Sequence, residues 1–142
     1  MNFLAPYVEP IYAAFRIVFG FLYFSHGAQK IFGLFGGQRM TAGLPMVAGW
    51  IEVLCGLLIL LGLFTTIAAF IASGEMAVAF FMAHVPNGWH PLMNHGEAPV
   101  LFCFAFLCMA ARGSGRYSVD TAPPGTPLPP RPPAGPARRP GC

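Results

Sequence analysis

The chain has 142 residues, enough for one domain, and 56% of them are hydrophobic against only 9% charged, a balance that belongs to a membrane protein and excludes an ordinary soluble globule. The net charge of +3 leaves no nucleic-acid footprint, because three of the eight basic residues, Arg131, Arg138 and Arg139, lie in a proline-rich tail and the others are scattered. Nothing basic precedes the first apolar run and no small-residue cleavage site comes after it, so that run is expected to stay in the mature protein and not to leave as an export signal.

Four apolar stretches succeed one another in chain order: Ile11 to Gly33, Pro45 to Phe64, Thr66 to His84, and Glu97 to Arg112. About 20 apolar residues cross ~30 Å of hydrocarbon, so the first three suffice and the fourth is short. Residues 46 to 84 are nearly continuous, and one helix of that length would reach roughly 58 Å, about twice the hydrocarbon core. The chain must therefore turn back at "GLFTT", where Gly62 relaxes the backbone and Thr65 or Thr66 caps the next helix, or else only Val53 to Gly74 crosses. The expected fold is all-α: a four-helix transmembrane bundle over residues 1–120. A disordered, proline- and arginine-rich tail over residues 121–142 completes the chain, with nine prolines from Thr121 onward that cannot pack a core. Arg112 and Arg116 flank the last span, which places both termini in the cytoplasm.

The first span carries the polar residues that need explaining, because a charge placed centrally in a membrane costs about 3 kcal/mol even on insertion scales. At 100° per residue Tyr12, Arg16, Tyr23 and Lys30 fall within ~40° of one another, His26 lies at the edge of that stripe, and Gly20 and Gly27 flank it. Counting ~1.5 Å per residue from the cytoplasmic end puts Arg16 near 8 Å, Glu75 near 14 Å, Glu52 near 18 to 20 Å, His26 near 22 Å and Lys30 near 28 Å. Arg16 is then expected to meet Glu75, and His26 or Lys30 to meet Glu52, with Glu97 also able to reach Lys30. Gly49, Glu52 and Gly56 share a helix face whose small residues let the first two spans approach closely. Acid, base and aromatic groups converging in an apolar cavity suit a quinone-like headgroup or a proton transfer. The competing reading is that the same charges only fix which helices pack together.

The loop "HVPNGWHPLMNHGE" holds His84, His90 and His95 with Glu97. These are the residues that could bind zinc or copper, but their spacing matches no ligand template and the expectation is no metal. Cys55, Cys103, Cys108 and Cys142 form no Cys-x-x-Cys motif and read as small apolar packing residues. A short echo relates "GEMAVAF" at Gly74 to "GEAPVLF" at Gly96. There is no haem pair and no nucleotide-binding loop in the sequence.

Taken together, "FRIVFGFLYFSHGAQKIFGLFGG", "AGWIEVLCGLLILLGLFTT" and the stretch from "SGEMAVAFFMAHVPNGWHPLMNHGEAPV" to Asp120 resemble the DoxX family of small four-helix membrane proteins. The likeness runs from about residue 11 to Asp120. It implies a prokaryotic plasma-membrane protein, in a family named for a subunit of quinone-coupled thiosulfate oxidation, with some relatives tied to membrane redox complexes that handle thiol stress. The functional expectation is thus a small accessory subunit of a membrane oxidoreductase that receives electrons from other redox subunits. Quinone is the implied cofactor and a homo-oligomer a further arrangement. Its alternative is a non-catalytic scaffold or assembly partner. Thr66, where a basic residue is common, the extra histidine in "NHGE" and the tail depart from the family pattern.

Overall fold

The structure, a computed structural model, describes residues 3–121. A single 3-10 turn, Ala5–Tyr7, leads into α1 (Val8–Phe32), and then come α2 (Leu44–Leu61), α3 (Thr65–Ala79) and α4 (Glu97–Arg112), with no strand among the described residues. The proline-rich segment expected to be disordered lies, apart from Thr121, outside the described residues. Three continuous helical stretches, Ala5–Phe32, Leu44–Leu61 and Thr65–Asn87, are long and apolar enough to cross a membrane. With 16 residues, about 24 Å, α4 falls short of that length and completes the bundle alongside α3. Such helices satisfy their backbone hydrogen bonds internally, which a lipid environment requires.

Residues 46 to 84 do turn back, but not by the cap expected from the sequence. Gly62 ends α2 in the left-handed region at φ 73°, which glycine reaches without strain, and its N–H bonds to the carbonyls of Leu58 and Ile59. Phe64 then takes φ 48° as the N-cap of α3, and neither threonine side chain caps that helix. Only Leu63 separates these two left-handed residues, so the reversal is made by backbone conformation, and Thr65 is left inside the bundle at 1% exposure.

Glycine governs how α1 meets α2. Gly20 and Gly27 on α1, and Gly49 and Gly56 on α2, are each separated by seven residues, two helical turns, so each pair lies on one face. The antiparallel crossing sets Gly20 against Gly56 and Leu60, and Gly27 against Gly49 and Val53. A Cβ at Gly20 would stand 2.7 Å from the Leu60 nitrogen, and one at Gly27 2.6 Å from the Val53 nitrogen. Backbone approach this close is what small residues permit between membrane helices, where lipid and side chain are equally apolar and packing must hold the pair. Aromatic rings join α1 to α4. Phe19 and Tyr23 of α1 reach Phe102 and Phe106 of α4, with centroids 5.4 Å apart for Phe19 and Phe102 and 4.7 Å for Tyr23 and Phe106, near-perpendicular and favourable for aromatic pairs. Phe21, Leu54, Phe70 and Phe104 point outward, as the lipid side of such a bundle requires.

Gly27→Leu is therefore expected to destabilise the protein by roughly 1–3 kcal/mol or more, because the new side chain meets backbone that cannot yield. Gly74→Ala, whose Cβ would meet nothing within 4 Å among the described residues, is expected to hold or raise stability by up to about 1 kcal/mol. Thermal unfolding of the detergent-purified variants checks both signs.

Candidate functional site

The close α1–α2 contact brings together a cation and an acid from different helices. Lys30 sits in the last turn of α1 and Glu52 on the α2 face between Gly49 and Gly56, and the Lys30 Nζ donates to Glu52 Oε1 at 2.7 Å. Glu52 is 2% exposed, while the Lys30 side chain keeps 31%. Seven residues before Lys30, and so on the same face of α1, Tyr23 is fully buried and donates its hydroxyl to Glu75 Oε2 of α3 at 3.0 Å. Three helices thus contribute ionisable groups to one end of the bundle. Glu52 Oε2 has no hydrogen-bond partner among the described residues.

Two cavities flank these groups. One of about 310 Å³ is lined by Tyr23, His26, Lys30, Glu52, His84 and His95, with apolar walls from Met76, Ala79 and Phe102. The second, about 510 Å³, runs between α2 and α3 and is almost wholly apolar, with Lys30 and Glu75 as its charged residues. Lys30, Ala79 and Ala83 line both. His26 stands edge-on to Phe102, with centroids 6.0 Å apart.

A change of helical register brings His84 to the first cavity. Residues Phe80–His84 form a π-helical turn at the end of α3, in which the Val85 N–H reaches back five residues to the Phe80 carbonyl. Such a turn inserts a residue into the helix and rotates the residues beyond it, a feature common at functional sites. The His84 ring stacks on Phe80, and its Nδ1 lies 3.0 Å from the Asn94 carbonyl oxygen. Asn94, 4% exposed, fixes the loop over this end: its Nδ2 donates to the Gly88 carbonyl at 2.6 Å and its Oδ1 accepts from the Gly96 N–H at 2.8 Å. Asn94 and the π turn are the parts that sequence reasoning missed, since an asparagine between Met93 and His95 carries no periodic signal.

Arg16 is at the opposite end and does not meet Glu75. Its guanidinium, 2% exposed, donates to the carbonyls of Ile59 and Leu60 and to that of Tyr117. The physical reason is local: the last turn of a helix leaves carbonyls without intrahelical partners and carries partial negative charge, so the end of α2 offers Arg16 nearer acceptors than Glu75 does. The same end is tied by the Tyr12 hydroxyl donating to the Gly113 carbonyl and by Arg112 paired with Glu9 at 2.7 Å. The start of α1 and the end of α4 therefore lie together.

Glu97 does not reach Lys30, contrary to the expectation from its depth. It stands exposed in the first turn of α4, lines neither cavity, and has no ion pair among the described residues; Lys30 is engaged by Glu52 instead, held there by the glycine contact. His90 is exposed on the loop, where its Nδ1 accepts from the Leu92 N–H at 3.3 Å, and it does not line the cavity that His84 and His95 border. Among the described residues no three His, Cys, Asp or Glu side chains converge as a metal site.

A family model for DoxX matches residues 11–85. The chain belongs to the DoxX family. An uncharacterized protein of Haemophilus influenzae (strain ATCC 51907 / DSM 11121 / KW20 / Rd) is 40% identical over 130 aligned residues, covering 84% of this chain and 96% of that relative. No solved structure matches. The DoxX match spans Arg16, Tyr23, His26, Lys30, Glu52, Glu75 and His84, and stops short of His95 and α4. This DoxX protein is thus a multi-pass integral membrane protein.

Lys30→Met should leave the Glu52 carboxylate buried without its cation. The expected loss is roughly 2 kcal/mol or more, below the range for a fully enclosed pair because Lys30 keeps part of its exposure. Lys30→Met combined with Glu52→Met should recover most of it, and thermal unfolding of the two single variants and the double variant completes the cycle.

Proposed function

We propose that this DoxX protein is a small accessory subunit of a membrane oxidoreductase assembly, and that its interior cavity holds a quinone-like headgroup or passes protons to one. The reading rests on a single observation: Tyr23, His26, Lys30 and Glu52 surround one cavity of about 310 Å³ with apolar walls. Few convergent polar groups in an otherwise apolar, concave site are the usual form of a ring-binding pocket. A bound quinone would supply a couple that exchanges two electrons and two protons. The residues of this chain would do the rest. The Lys30 ammonium has three donors, of which one goes to Glu52, so a ligand oxygen can take another. His26 lies at the cavity wall, where imidazole can donate or accept a proton. The chain carries no haem pair, nucleotide loop or Cys-x-x-Cys motif, and the electrons are assigned to partner redox subunits.

The proposed location is a prokaryotic plasma membrane with both termini in the cytoplasm. The Glu9–Arg112 pair supports a common side for the start of α1 and the end of α4, and Arg112 and Arg116 favour the cytoplasmic one. The functional unit is residues 1–120. A second reading, a non-catalytic scaffold, draws support from Arg16, whose hydrogen bonds go to backbone carbonyls and hold chain segments together.

Purified protein is expected to carry or bind a quinone in its oxidised or reduced form, and Glu52→Gln and His26→Ala are each expected to weaken binding of the preferred form about tenfold with the thermal midpoint retained. Binding that is absent for both redox forms, or that survives both changes, defeats the pocket. Glu52→Gln that only lowers yield and thermal stability supports the scaffold instead. A reporter fused to the C-terminus should be active only if it acts in the cytoplasm; an external signal contradicts the proposed orientation.

A further inference from the structure

The Glu52 carboxylate is 2% exposed and half of it is already satisfied, with Oε1 accepting from the Lys30 ammonium at 2.7 Å. Its other oxygen, Oε2, has no partner among the described residues, although the residue lines the 310 Å³ cavity. A buried carboxylate oxygen left without a donor is costly, and beside an ammonium the carboxylate can only accept. Whatever completes this site must therefore carry an O–H or N–H. A quinone does not, because both of its ring oxygens are acceptors; its two-electron reduced form carries two hydroxyls.

We infer that the cavity is built for the reduced, hydroxyl-bearing form of the ring, with a hydroxyl donating to Glu52 Oε2 and the ring's apolar substituent lying in the groove between α2 and α3. The inference rests on the quinone-site reading above and deepens it. Charge favours a neutral head over a lipid phosphate: the Lys30 ammonium that lines the cavity is already paired with Glu52 at 2.7 Å, so an anionic group would meet a cation whose charge is matched, with the Glu52 carboxylate beside it. Shape favours a ring, since His26 and Phe102 give the cavity an aromatic wall and its volume is roughly that of ten liquid waters, far more than one bridging water needs. The groove supplies the place for a tail. It is lined by Leu44, Val47, Ile51, Ile71, Val78 and Met82, and it adjoins the cavity at Lys30, Ala79 and Ala83. Gly74 opens onto this groove with nothing within 4 Å of its would-be Cβ among the described residues.

The test uses the full chain in lipid nanodiscs under anaerobic conditions and measures the affinity of four probes: a decyl-substituted hydroquinone, the matching benzoquinone, the hydroquinone's dimethyl ether, and hydroquinone without a tail. The decyl-hydroquinone is expected to bind at least ~10-fold more tightly than both the quinone and the dimethyl ether, the ratio that one hydrogen bond to a charged acceptor gives. Glu52→Gln is expected to shrink that difference to about two- or threefold. Gly74→Leu, which fills the groove with a good helix former, is expected to weaken the decyl probe but not the tail-less ring. Equal affinity of hydroquinone and dimethyl ether, or tighter binding of the quinone, overturns the inference while leaving a quinone site in place. If no ring probe binds, the quinone-site reading falls as well. Displacement of the probe by anionic phospholipid assigns the cavity to a lipid head and also overturns the inference. Should Glu52→Gln fail to fold, the comparison of probes on the unaltered protein decides alone. If Gly74→Leu weakens both hydroquinones equally, or neither, the groove is not the tail's path.

Discussion

The close passage of α1 over α2 is the constraint on which the rest of the molecule depends. Four glycines at two-turn spacing bring the two backbones to distances at which a single added Cβ would collide with a main-chain nitrogen. In a bilayer this contact has no hydrophobic drive of its own, because lipid and side chain are equally apolar, so packing and hydrogen bonding must hold it. The approach also puts Lys30 and Glu52 within reach of each other: a lysine on α1 and a glutamate on α2 pair at 2.7 Å because the surfaces between them are nearly bare.

The two ends of the bundle use charge differently. At one end the two terminal nitrogens of Arg16 are taken up by structure, donating to the terminal carbonyls of α2 and the segment after α4, while its Nε has no partner among the described residues. At the other end the polar groups border a cavity: Glu52 keeps an unmatched oxygen among the described residues, Lys30 keeps some exposure, and histidine and tyrosine side chains line the same space. The charge bonded to helix-end carbonyls and the charge that lines the cavity are thus separated along one helix by fourteen residues, between Arg16 and Lys30. That separation lets the scaffold and pocket readings each describe a different part of the protein.

The π turn at Phe80–His84 and the buried Asn94 link the cavity to the loop above it. A regular helix through His84 would present a different face at that depth, and a loop without Asn94 would lose the two side-chain hydrogen bonds that hold Gly88 and Gly96. The roof over Lys30 and Glu52 depends on these two irregular features, neither of them periodic.

The sequence by itself determined the class, the helices and the polar face of α1, because hydropathy over twenty residues and a 100° turn per residue are local properties of the chain. It also marked Glu52 and its flanking glycines as a contact face, since spacings of three, four and seven are read within one helix. Partner choice was another matter. Depth counting sends Arg16 to Glu75, but the carbonyls at the end of α2 claim the guanidinium, and Glu75 takes a hydrogen bond from Tyr23 instead. Likewise Glu97 is left facing outward and His84 and His95 reach the cavity while His90 does not. Only the tertiary structure decided these, because each depends on which acceptor lies nearest in three dimensions and on helix rotations, such as the π turn, that one-dimensional periodicity does not contain.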